Sequence, residues 1–112
     1  IQHWGRDRTR GEKLPLEFLV RRQTADTAAL VGLHDRGRLA PGLRADVNLI
    51  DFAALALERP VIRRDLPAGG KRLLQRATGY VATVQSGEVT FEKGEATGAL
   101  PGELIRGPQR PA

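Results

Sequence analysis

From Gly32 to the end of the chain, Gly- or Pro-containing turns interrupt the sequence about every 8 to 12 residues, a spacing that admits short strands and excludes long helices. The preceding segment has a different period. Leu16, Leu19, Val20 and Gln23 recur at helical spacing, while Glu17, Arg21 and Arg22 fall elsewhere on the wheel. Pro15 suits the first helical turn, where its missing N–H has no helical partner to lose. Thr24-Ala25-Asp26-Thr27 then interrupts the pattern with side chains suited to capping backbone N–H groups, so a second helix is expected from about Ala25 to Val31, stopped at Gly32. A helix, a joint and a shorter helix leading into strands make an α+β chain.

Within the second part, Gly37 and Pro41-Gly42 mark a loop, and Ala45 to Asp51 alternates as a half-buried strand does. Residues 53–60 are locally helical in composition and end at Pro60, with Val61-Ile62 forming a short strand before the Pro67-Ala68-Gly69-Gly70 turn. Tyr80 to Gln85 and Glu88 to Glu92 read as strands joined through Ser86-Gly87, a two-residue hairpin turn. Pro101, Pro108 and Pro111, interleaved with Gly98, Gly102 and Gly107, point to an extended strap. Residues 1–13 alternate charge and glycine and read as an exposed loop, and the chain has no internal repeat.

The chain's 112 residues form one small domain or a piece of one, too small for a deep enclosed cleft, so a self-contained enzyme is not expected. There is no methionine, so Ile1 is not an initiator and the chain is expected to be a piece of a longer or processed polypeptide. The lack of cysteine excludes disulfides and thiolate sites. No apolar run approaches the roughly 18 residues of a membrane span, and the expected location is cytoplasmic, with no membrane partner.

His3 and His34 are the only histidines, leaving a metal site short of ligands even with Asp7 or Asp35. His3 and Asp7 would align on a helix, but Gly5 and the surrounding charge argue against a helix there. Ser86 is the sole serine and belongs to a turn. Gly69-Gly70-Lys71-Arg72 lacks the first glycine of a phosphate loop, replaced by Asp65, and its Ser/Thr, replaced by Arg72. Asp46 and Asp51, five apart along one strand, fall on opposite faces and read as caps. The net charge of +5 includes Arg6, Arg8, Arg10, Lys13, Arg21, Arg22, Arg63, Arg64, Lys71, Arg72 and Arg76. The aromatics Trp4, Phe18, Phe52, Tyr80 and Phe91 are not interleaved with them as a base-stacking platform requires. No catalytic, cofactor-binding or metal residue is assigned.

The stretch Val31-Gly32-Leu33-His34-Asp35-Arg36-Gly37-Arg38-Leu39-Ala40-Pro41-Gly42-Leu43-Arg44-Ala45-Asp46-Val47-Asn48-Leu49-Ile50-Asp51 resembles the C-terminal signature of the metal-dependent amidohydrolases. His3-Trp4-Gly5-Arg6-Asp7-Arg8, Asp65 to Leu73 and Thr97-Gly98-Ala99-Leu100-Pro101-Gly102 narrow the likeness to the N-acyl-D-amino-acid deacylase (D-aminoacylase) branch. The resemblance implies a parent hydrolysing N-acyl-D-amino acids or related amides with zinc at the mouth of a (β/α)8 barrel. Residues 1–36 would then be the barrel's last loop and helices, and residues 37–112 the C-terminal share of a small β-sandwich. Zinc ligands and the catalytic aspartate would lie upstream, so no cofactor is expected in this chain, which would be inactive alone. Its expected partners are the missing N-terminal part of the parent and a second copy bound through an uncovered sheet face. The roles implied for the signature are structural: Gly37 and Gly42 for backbone conformation, Pro41 for a fixed turn, Ala45 for close packing, and Asp46 for bonding the turn's N–H groups. The alternative is a free-standing basic module binding nucleic acid or an acidic protein, with no specific nucleic-acid partner expected.

Overall fold

A computed structural model describes residues 1–111. The first helix, α1 (Leu16–Gln23), starts directly after Pro15, whose φ of −56° is preset for helix entry. It buries Leu19, and α2 (Ala25–Leu30) buries Ala28. The joint between them differs from the expected capping. Thr24 donates its hydroxyl to the Val20 carbonyl at 2.9 Å and Thr27 donates to the Thr24 carbonyl at 3.0 Å, so both hydroxyls bond back to carbonyls and cap no N–H. Gly32, at φ +76°, ends α2 in the left-handed conformation.

The N-terminal loop expectation is also corrected. His3–Asp7 form a single wide helical turn, closed by the Arg8 N–H donating to the His3 carbonyl at 2.8 Å. Such an i→i+5 turn is rare as local structure, and it is held here by its own Arg6 side chain, which reaches the backbone carbonyls of Phe52, Ala53 and Leu55.

Eight strands follow among the described residues: β1 (Val47–Ile50), β2 (Ala56–Leu57), β3 (Val61–Arg63), β4 (Arg72–Leu74), β5 (Ala77–Thr78), β6 (Tyr80–Gln85), β7 (Glu88–Glu92) and β8 (Glu95–Ala96). The main sheet has the order β1-β6-β7-β8 and is antiparallel throughout. Its central hairpin is the one read from the sequence. Ser86 and Gly87, at φ 52° and 84°, form the tight turn whose twist matches the flanking strands. Pairing of Thr83 with Phe91 and of Val84 with Val89 leaves Thr90 as the extra residue of a bulge. Thr90 is buried, and its hydroxyl donates to the Thr83 carbonyl at 3.2 Å.

The remaining strands form a ribbon, with β2 paired to β5 and β3 to β4. The Glu58 N–H donates to the Arg76 carbonyl at 2.9 Å and bridges the interruption at Pro60, which has no N–H to give. The helical expectation for residues 53–60 fails here. Ala53 and Ala54 turn over the Asp51 carboxylate, and Ala56–Leu57 become a strand, because Ala77–Thr78 supply a partner that local composition cannot reveal. Ribbon and sheet meet at Gly79, at φ +87°, where a Cβ would stand 2.6 Å from the Leu55 Cα.

The tail is the expected strap. It returns to the end of α2, where the Gln109 N–H donates to the Gly32 carbonyl at 2.9 Å and the His34 N–H donates to the Gln109 carbonyl at 3.0 Å. The core is small: Leu19, Ala28 and Leu55 are the buried hydrophobic side chains among the described residues. The accessible surface is 8877 Å², roughly 2,800 Å² more than a compact chain of this mass exposes. The radius of gyration is 16.5 Å, against about 13 Å for a compact domain of this length.

Candidate functional site

Two side-chain constellations organise the chain. The first grows from the stretch Asp35 to Asp46. Gly37, at φ +84°, lets the backbone pass so close to α2 that a Cβ would meet the Ala28 Cβ and the Thr24 carbonyl oxygen at 2.9 Å. The adjacent Arg36 forks onto Asp35, with Nε and Nη2 each 2.9 Å from a carboxylate oxygen, and reaches Asp46 through Nη1 at 3.4 Å. These hydrogen bonds hold the Asp35 carboxyl below the usual carboxylate range.

Asp46 in turn accepts the Ser86 N–H at 2.9 Å, the Ala45 carbonyl accepts the Gly87 N–H at 3.0 Å, and Arg44 Nε donates to Ser86 Oγ at 2.8 Å. Ser86 is a non-glycine residue in the left-handed region, and the Arg44-Ala45-Asp46 tripeptide secures it there. Asp46 therefore bonds a turn, as expected, but the turn is that of the β6–β7 hairpin. The whole constellation staples the end of the helical part to the sheet.

The second constellation is built on Arg6. Its Nη1 donates to the Phe52 carbonyl at 2.5 Å and the Ala53 carbonyl at 2.6 Å, its Nη2 to the Leu55 carbonyl at 2.7 Å, and its Nε to Asp7 at 2.6 Å. One guanidinium thus fastens the His3–Asp7 turn to the turn after β1. Gln2 adds a second tie, donating to Asp7 at 2.7 Å and accepting the Leu57 N–H at 3.1 Å. The bonds from Arg6 and then Gln2 hold the Asp7 carboxyl down at about 2. Trp4 is left on the surface, with Arg8 stacked 4.6 Å above its ring and His3 edge-on at 5.3 Å.

His3 and His34 are not brought together with carboxylates. Asp7 is engaged by Arg6 and Gln2, and Asp35 by Arg36. Among the described residues no three His, Asp or Glu side chains are placed to hold a metal ion, so the residues present do not fit zinc. Arg72 forks onto Asp65 at 2.8 and 2.7 Å across the Pro67–Gly69 turn, which makes Gly69 to Arg72 the tip of a ribbon. Asp51 caps the turn after β1 through the Ala53 and Ala54 N–H groups. Sequence reasoning missed the anchoring roles of Arg6, Arg36 and Arg44. The available signal was an arginine next to, or two residues from, an aspartate at Arg6-Asp7, Asp35-Arg36 and Arg44-Ala45-Asp46.

An open groove of about 930 Å³ runs along Leu16 and Val20 of α1, Ala25 and Ala29 of α2, and Leu33 and Leu39. Glu17, Arg21, Thr24, Asp26, His34, Arg36 and Arg38 also line it, so apolar and charged side chains share the groove. No helix among the described residues is long and apolar enough to cross a membrane.

The charged side chains of this small α+β unit act as structural staples. The chain matches the amidohydrolase family over residues 2–91, most of its length, and belongs to that family. No curated protein and no solved structure matches it.

Proposed function

We propose that this chain is the C-terminal part of a zinc-dependent amidohydrolase that hydrolyses N-acyl-D-amino acids or related amides in the cytoplasm. In this reading residues 1–36 end the catalytic (β/α)8 barrel and residues 37–112 contribute to a small β-sandwich. The chain's role is to close and support the barrel, and the zinc ligands and catalytic aspartate belong to upstream sequence. The observation that carries the reading is the Arg36, Arg44, Asp46 and Ser86 staple. It is built from the segment that bears the family signature, and every bond in it serves architecture. The surface excess of roughly 2,800 Å² on this one chain agrees, since burying it would make an interface of about 5,600 Å² in total, at the upper end of obligate interfaces.

The test is made on the natural polypeptide that carries this segment. It is expected to have an intact mass several times that of the 112 residues, to retain zinc after dialysis, and to release free D-amino acids from N-acyl-D but not N-acyl-L substrates. A natural polypeptide of these 112 residues alone overturns the reading. So does a larger one that hydrolyses no N-acyl-D-amino acid.

A further inference from the structure

The outer arm of the ribbon, residues 58–76, is used by neither constellation. It holds six of the chain's Lys and Arg residues and two of its acids, so four of the five net positive charges lie in these nineteen residues. Arg72 is taken by Asp65 and Arg76 by Glu95. Among the described residues Arg59, Arg63, Arg64 and Lys71 make no ion pair.

Residues 57–69 are exposed without a break, yet the segment is not uniformly polar. Ile62 and Leu73 are cross-strand partners and stand 69% and 70% exposed, while Val61 and Leu66 are 46% and 43% exposed. A neighbouring aliphatic pair left in water costs hydration free energy that a purely solubilising arm would avoid. The ribbon has two strands, so each of β3 and β4 also has one hydrogen-bonding edge with no strand on it.

We propose that this arm docks an acidic protein segment in extended conformation, which adds to the ribbon as a further strand. Its carboxylates would meet Arg59, Arg63, Arg64 and Lys71, and its aliphatic side chains would cover Ile62 and Leu73. Charge selects this occupant over a second copy of the chain, because two arms of like sign repel at close range. The arm has no aromatic residue on which a base would stack, which disfavours single-stranded nucleic acid. The inference stands on the arm's own charge and exposure and does not depend on the deacylase reading.

The test uses the full 112-residue chain and a fluorescein-labelled decapeptide of alternating Glu and Val, followed by anisotropy. Saturable binding is expected, weakening with salt. The exposed double variants Ile62→Ser/Leu73→Ser and Arg63→Glu/Arg64→Glu should each weaken it by about tenfold or more, with circular dichroism unchanged. On the unsubstituted chain, amide shifts on titration should be confined to residues 58–76, so the outcome does not hang on how the variants fold. The proposal is overturned by absence of saturable binding, by shifts centred elsewhere, or by equal binding of an alternating Lys-Val peptide. Equal affinity for a thymidine 20-mer or for phosphatidylglycerol vesicles also overturns it, since the arm would then be a general polyanion or lipid surface.

Discussion

Replacing Gly79 with alanine isolates the corner where ribbon meets sheet. At φ +87° an alanine is strained, by about 1–2 kcal/mol for the left-handed conformation. Its Cβ would also stand 2.6 Å from the Leu55 Cα, 2.7 Å from the Leu55 nitrogen and 2.9 Å from the Asp51 carbonyl oxygen. All three are backbone atoms, so relief requires moving the chain, and overpacking of this kind adds about 1–3 kcal/mol. The expected loss for Gly79→Ala is therefore about 2–5 kcal/mol. Gly87 provides the control: its φ is +84°, but nothing lies within 4 Å of its Cβ position. Gly87→Ala should cost only the conformational part, about 1–2 kcal/mol. Urea denaturation followed by circular dichroism and by Trp4 fluorescence compares the two. Trp4 senses the corner because Arg6 ties its turn to the Leu55 carbonyl. Equal losses for the two variants would refute the reasoning, since the close approach of Leu55 would then have no energetic consequence.

Other substitutions probe the remaining contacts. Leu19→Ala should destabilise by about 2–3 kcal/mol, the lower part of the range for buried leucines. Leu30→Ala, at a position 86% exposed, should stay within about 0.5 kcal/mol in the same denaturation assay. Arg6→Lys should not rescue Arg6→Ala, because a single ammonium cannot serve three carbonyls and a carboxylate. Faster amide exchange at Ala53, Ala54 and Leu57 in both variants is the readout. Asp7 is held at about 2, below its ordinary 3.8, so its contribution to stability is fully present above about pH 4 and is lost as pH falls toward 2. Urea midpoints should be flat above that window and fall within it, with a shallower fall in Asp7→Asn.

The legible parts of the fold were those fixed by neighbours in sequence. Ser86-Gly87 between two alternating runs specified the β6–β7 hairpin to the residue, and Gly32 marked the end of α2 because a left-handed stop is a local need. Residues 53–60 misled because alanine and leucine favour helix in isolation, whereas β2 exists only through Ala77 and Thr78. The His3–Asp7 turn was obscured in the same way, since the Arg6 bonds that hold it reach 46 to 49 residues along the chain.

The sequence by itself determined the α+β order, the hairpin, the strap and the absence of cysteine chemistry, because turn chemistry and periodicity act over a few residues. It also carried, in the stretch from Val31 to Asp51, the likeness to the family that the chain belongs to. The tertiary structure alone decided that Arg6, Arg36 and Arg44 are staples, and that the charge of Arg59, Arg63, Arg64 and Lys71 is left free on an exposed ribbon beside Ile62 and Leu73. An arginine's role depends on which acceptors reach it, and those that make Arg6 and Arg44 staples lie 42 to 49 residues away along the chain.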